Sequence, residues 1–182
     1  MLMLSYTLLK REQILEEVKK AQKKNPTTIF KPLWVWSREE EELIKSRIIG
    51  FSLNLCSGSS WHVGDVTLDL YVEADIQADN FHLPFRDLCF DTVIWDPPWA
   101  WANPKSWRNK TMKRWKDVMA LVREVSRITR KRLIVRQGIY LFDFQPEFEL
   151  TEAWLVKRIN FVPNILTIWD RFISKLKEAE KK

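Results

Sequence analysis

The chain is 182 residues long, 46% apolar and 30% charged, an ordinary balance for a globular protein with one sizeable core. No run approaches the length of a bilayer-spanning helix, and the start, Met1-Leu2-Met3-Leu4-Ser5-Tyr6, lacks the basic beginning and long apolar core of a signal peptide, which argues against a membrane or secreted protein and points to the cytoplasm. The net charge of +6 is uneven: residues 105–136 hold twelve Lys and Arg against two acids, Asp117 and Glu124, for +10, while the rest of the chain sums to −4. A local positive field of this kind suits a polyanion such as nucleic acid.

In chain order, residues 8–24 place Leu8, Ile14, Leu15, Val18 and Ala21 at helical spacing, and Asn25-Pro26 ends that period. A connector through Trp36 follows. Ser37-Arg38-Glu39-Glu40 then matches a capping box and opens a second helix expected to end near Ser46. Residues 48–55 read as the first buried strand and Cys56-Ser57-Gly58-Ser59-Ser60 as the turn beyond it. Residues 66–69 and 74–79 read as a second and a third strand, closing on Asp69 and Asp79.

The strand that begins at Phe90 must stop at Asp96, because Pro97 and Pro98 can neither donate to a ladder nor continue a helix. Pro97 also pushes Asp96 toward extended conformations, so a carboxylate is held with little freedom at the end of an apolar strand. The loop that follows is rich in tryptophan and base. Met112, Trp115, Val118, Val122, Val125 and Ile128 then recur at helical spacing. A fifth strand is expected over residues 132–136 and two closing strands over 153–159 and 165–172, with a charged tail over 175–182. Cys56 and Cys89 sit in apolar, strand-like contexts and read as reduced thiols; with only His62 and His82 and no clustered ligands, no metal site is expected.

Asp96-Pro97-Pro98-Trp99 resembles the catalytic motif of the S-adenosylmethionine-dependent amino-methyltransferases, which methylate an exocyclic amine of a nucleic-acid base. The resemblance implies that the Asp96 side chain and the Pro97 carbonyl accept from the target NH2, that Pro98 completes the rigid motif, and that Trp99 stacks on a flipped-out base. The turn after the first strand resembles that family's cofactor loop, although it carries one glycine where the family has two or three. Carried over by resemblance, Asn54, Cys56, Ser57 and Gly58 would meet the cofactor, Asp69 its ribose hydroxyls, and Asp79, Asn80 and Phe81 its adenine. In the loop after the motif, Trp101, Lys105, Trp107, Arg108, Lys110 and Lys113 have the composition expected of a lip that stacks bases and meets phosphates.

Gly58 and Asp69 stand only eleven positions apart, too close for the crossover helix of a dinucleotide-type unit, which separates such residues by about 20. The first crossover is therefore expected to be a short turn, with the two leading helices covering the sheet. The fold implied is a Rossmann-like, seven-stranded, mostly parallel α/β sheet with a C-terminal antiparallel hairpin and reduced helices. It divides into a helical extension over 1–46, the methyltransferase domain over 47–173 and a tail over 174–182, all within one globular domain. The function implied is transfer of a methyl group from S-adenosylmethionine to a base amine of DNA or RNA, foremost adenine N6. The alternatives are guanine N2 of RNA and an inactive nucleic-acid-binding subunit of the same fold. The chain is too short for a separate target-recognition domain, so specificity falls to loops, a homodimer or a partner.

Overall fold

The computed structural model describes residues 36–70, 72–97, 115–137, 142–156 and 164–172. Its elements are α1 (Arg38–Arg47), β1 (Ser52–Leu55), β2 (Val66–Asp69), β3 (Ile76–Gln77), β4 (Phe90–Trp95), α2 (Trp115–Ile128), β5 (Thr129–Gln137), β6 (Phe148–Val156) and β7 (Asn164–Arg171). The strands form one seven-stranded sheet in the order β3-β2-β1-β4-β5-β7-β6. β1 through β5 pair in parallel, and β7 runs antiparallel to both β5 and β6. The expected mostly parallel sheet with a closing antiparallel hairpin is the one observed. The predicted helix over 8–24, the loop over 98–114 and the tail lie outside the described residues.

Period-two alternation sends successive residues of each strand to opposite faces. Leu53 and Leu55 of β1, Val93 and Trp95 of β4, and Leu133 and Val135 of β5 join Leu121, Val122, Val125 and Ile128 of α2 in the larger core, closed by Phe142 and Phe144. Ile94, Ile134 and Leu166 point the other way and pack with Ile44 of α1, Trp36 and Val63. Both faces are thus covered, which the unbroken burial of β1 and of residues 92–95 requires.

The capping box of α1 is present as read: the Ser37 hydroxyl accepts from the Glu40 amide at 3.2 Å, and the Glu40 carboxylate accepts from the Ser37 amide at 2.7 Å. The first crossover holds no helix, again as expected. In its place the Ser57–Val63 loop folds onto the α1 face: the Asn54 side chain donates to the Ser60 carbonyl at 2.9 Å, and the Ser60 hydroxyl accepts from the Trp36 amide at 3.0 Å.

Several boundaries differ from the sequence reading. β1 begins at Ser52 rather than Ile48, because Ile48 caps α1 and Gly50 turns the chain at φ 60°. β3 is reduced to Ile76–Gln77 where 74–79 was expected. β5 extends to 129–137, and β6 starts at Phe148, five residues before the expected 153, because pairing with β7 continues through Phe148↔Arg171. Among the described residues no helix is long and apolar enough to cross a membrane.

Candidate active site

The strand order reverses between β1 and β4: β2 and β3 lie on one side of β1, and β5, β7 and β6 on the far side of β4. In open α/β sheets the crevice at such a switch point, beyond the carboxyl ends of the strands, is where ligands bind. Two of the residue sets singled out above converge there. The Cys56–Ser60 turn leaves the end of β1, and Asp96 leaves the end of β4, its amide donating to the Leu55 carbonyl at 3.4 Å.

Cys56 and Gly58 both have positive φ, 59° and 53°, which curls the turn back on itself. The carboxylate of Asp69, at the end of β2, accepts from the Gly58 amide and the Val72 amide, both at 3.0 Å, so this acid shapes the loop it faces. The Asn80 side chain, buried, reaches the Cys56 sulfur at 3.4 Å. Asp79 is exposed and accepts from the Phe81 amide at 3.0 Å.

The Cys56 thiol is pushed well above its ordinary pKa, first by burial and then by the charges of Asp69 and Asp96. A thiol raised in this way stays protonated at neutral pH and is a poor nucleophile. The buried Asn54 Oδ1, Ser57 Oγ and Ser59 Oγ, at the end of β1 and in the turn that follows it, have no hydrogen-bond partner among the described residues, although buried polar atoms are ordinarily satisfied.

Asp96 is one residue beyond the β4–β5 register, in which Trp95 stands opposite Val135. Its cross-strand neighbour is therefore Arg136. The two pair through Nη1 and Oδ2, while Arg136 Nη2 binds Glu40 of α1 at 2.9 Å and the guanidinium lies 4.0 Å over the Trp36 ring. Pro97 is buried beside them. Pro98, Trp99, Trp101, Lys105, Trp107, Arg108, Lys110 and Lys113 lie outside the described residues.

Among solved structures the chain is similar to the PH0226 protein from Pyrococcus horikoshii OT3, at 15% identity and a TM-score of 0.48, over 72% of this chain and 86% of that one. It is also similar to a SAM dependent methyltransferase from Aquifex aeolicus, at 10% identity and a TM-score of 0.45, over 86% of this chain and 98% of that one. No family model matches the chain, and no curated protein matches it. The chemistry of the site accordingly rests on its own geometry.

Two features escape a reading of the sequence. Arg136 and Glu40, 96 positions apart, join the site only through the sheet order. The bases of residues 105–136 are also less available than their count implies: Arg127 pairs with Glu124 and Asp87, Lys131 with Asp91, Arg132 with Asp170, and Arg136 with Glu40 and Asp96. Most of those acids come from outside the segment. The Arg127 hydrogen bond holds the Glu124 carboxyl below its usual range against a smaller opposing effect of burial. The sequence signal that could have found Arg136 is parity: aligned at Ile94 and Ile134, β4 and β5 set Asp96 opposite Arg136.

Proposed function

We propose that the chain is an S-adenosylmethionine-dependent methyltransferase that methylates an exocyclic amine of a nucleic-acid base, with adenine N6 as the target. The observation that carries this is the meeting, at the sheet's switch point, of a proline-locked carboxylate at the end of β4 with the polar turn at the end of β1, joined by the Leu55–Trp95 register and the Asp96 amide on the Leu55 carbonyl. Asp69, at the end of β2, supports the same reading, since its carboxylate accepts from the Gly58 amide of that turn.

The residues present fit the cofactor. The orphaned Asn54 Oδ1, Ser57 Oγ and Ser59 Oγ provide one acceptor and two hydroxyls suited to a zwitterionic amino-acid end. Asp69, at the end of β2, would accept from ribose hydroxyls, and Asp79 with Asn80 and Phe81 would offer polar and aromatic contacts for a purine. When bound, the sulfonium supplies an electrophilic methyl group. What the chain contributes is placement. Asp96 and the Pro97 carbonyl would accept from the amine hydrogens and turn the nitrogen lone pair toward the methyl, and the carboxylate would stabilise the positive charge that grows on nitrogen. Trp99 would hold the base by stacking, and the bases over 105–113 would meet phosphates.

The test is incubation with methyl-labelled S-adenosylmethionine and mixed DNA and RNA, digestion to nucleosides and identification of the labelled product. N6-methyladenosine or its deoxy form supports the proposal; N2-methylguanosine moves the target to guanine; absence of label in any base refutes the amine reading. Affinity for nucleic acid should fall with salt, each phosphate-contacting base removed flattening the log–log slope by about 0.9 for duplex DNA or about 0.7 for single strands.

A further inference from the structure

The site contains a cluster of three charged side chains, two of them buried. Glu40 is 1% exposed and Arg136 6% exposed, and taking such ions out of water costs several kcal/mol each before their attraction returns any of it. Apolar residues of the same size commonly serve stability as well or better. The pair Glu40–Arg136 already balances its own charge. A third ion, Asp96, pairs with the same guanidinium and is the member in reach of solvent, its side chain 20% exposed against 8% for Arg136 and 0% for Glu40.

Arg136 is itself held from three sides: by the β4–β5 register, by Glu40 on Nη2 and by the Trp36 ring against its plane. A guanidinium fixed in this way presents Nη1 in one place, and the Asp96 carboxylate that binds it loses its freedom to rotate. Lysine, a point charge on a flexible stem, would neutralise Asp96 without fixing it.

We infer that Arg136 is a positioning residue for Asp96, and that Glu40 holds Arg136, so that Asp96 meets the incoming amine in one orientation. The inference rests on the amine-methylation reading and adds to it a specific device: α1, an element outside the sheet, is wired to the reacting end of β4 through one arginine. A misplacement of about 1 Å can cost on the order of 10²-fold in rate, which sets the expected effect.

The experiment compares the parent with Arg136→Gln, Arg136→Lys, Glu40→Gln and Asp96→Asn, and with Arg171→Gln as a control. Arg171 is a buried arginine elsewhere, bound to the Ser126 and Thr129 carbonyls at 2.6 and 2.9 Å. Steady-state kcat and KM are measured with labelled S-adenosylmethionine, cofactor affinity is measured by calorimetry, and the Asp96 carboxyl is followed by 13C NMR, its resonance identified by its loss in Asp96→Asn. Arg136→Gln should lower kcat on the order of 10²-fold with KM and cofactor affinity unchanged, Arg136→Lys should recover part of that loss, and Glu40→Gln should fall between Arg136→Lys and the parent. The Asp96 resonance should move in each of these three variants. In Asp96→Asn the removal of Arg136 should have no further effect on kcat, because the two act as a unit. Arg171→Gln should lower the melting temperature and leave kcat and the Asp96 resonance in place. Should Arg136→Gln not fold, the Arg136→Lys and Glu40→Gln results decide the matter. Parental kcat in the folded Arg136 and Glu40 variants overturns this inference alone; a parent that methylates no base overturns the amine reading and this inference with it.

Discussion

The two ends of the parallel strands are built on opposite principles. At the amino ends three buried hydroxyls are bracketed. Asp65 accepts from the Ser52 amide and hydroxyl at 2.8 and 2.7 Å and returns its own amide to that hydroxyl at 3.1 Å. Asp75 does the same for Thr67 at 2.9, 2.6 and 3.0 Å, and Thr92 Oγ1 bridges the Ile49 amide and carbonyl at 3.0 and 2.7 Å. At the carboxyl ends the accounts stay open: Asn54 Oδ1, Ser57 Oγ and Ser59 Oγ find no partner among the described residues, and three ions share one buried cluster. A fold with helix-poor crossovers needs one well-sealed edge, and the brackets supply it in place of the missing helices. The other edge keeps polar groups that the described residues leave unsatisfied.

If that division is right, substitutions at the carboxyl ends change function and leave folding largely intact, while those at the amino ends do the reverse. The largest effect is expected at Asp96. Asp96→Ala should lower kcat by a factor on the order of 10²–10³, the cost of losing one positioned electrostatic partner of a transition state, while cofactor and nucleic-acid affinity hold and Glu40 continues to neutralise Arg136. Trp99→Ala should instead weaken substrate binding by about 1–3 kcal/mol. Turnover at the parental rate in Asp96→Ala would make Asp96 a structural acid.

Asp69→Ala tests the middle of the same edge. It should weaken S-adenosylmethionine by about 1.5–3 kcal/mol, the range for a hydrogen bond to a charged group, measured by calorimetry. Unchanged affinity would return Asp69 to the shaping of the Gly58 turn alone. The opposite edge is tested by Asp65→Ala, which strands the buried Ser52 amide and hydroxyl. It should cost about 1–3 kcal/mol of stability in denaturant unfolding, with kcat per folded molecule unchanged. A fall in kcat without a fall in stability would dissolve the division between the two ends.

The smallest effect is a pH dependence at Cys56. Folding raises this thiol's pKa, chiefly by burial, so the native chain keeps a proton that the unfolded chain surrenders above about pH 8.5. The associated stability is complete below that pH and is lost as pH rises toward the folded value. Unfolding free energy measured from pH 7 to 10 should fall less steeply in Cys56→Ala than in the parent; equal slopes would place the thiol in contact with water.

Local chemistry was readable from the chain alone. Ser37 and Glu40 bracket the first turn of α1, Pro97 and Pro98 stop β4 after Trp95, Val66–Asp69 is the strand its pattern announced, and the eleven-position step from Gly58 to Asp69 leaves no room for a helix. Each follows from forces acting within a few residues: a side chain reaching its own backbone, a ring that fixes φ, a period of two. The sequence order of turn and acids also told which strand ends would carry polar groups.

What only the tertiary structure decided is which distant groups meet. Residues 105–136 count as +10 in the sequence, yet Arg127, Lys131, Arg132 and Arg136 are each matched by an acid supplied by another turn or strand. β6 begins at Phe148 because β7 is long enough to pair with it, not because its own residues alternate. Glu40, read as half of a capping box, does that work and also holds Arg136, which in turn faces Asp96, 40 positions earlier in the chain. Ion pairs and strand lengths depend on strand order and register, and these are set by the burial of both sheet faces at once, a condition on the whole chain that no single stretch of it contains.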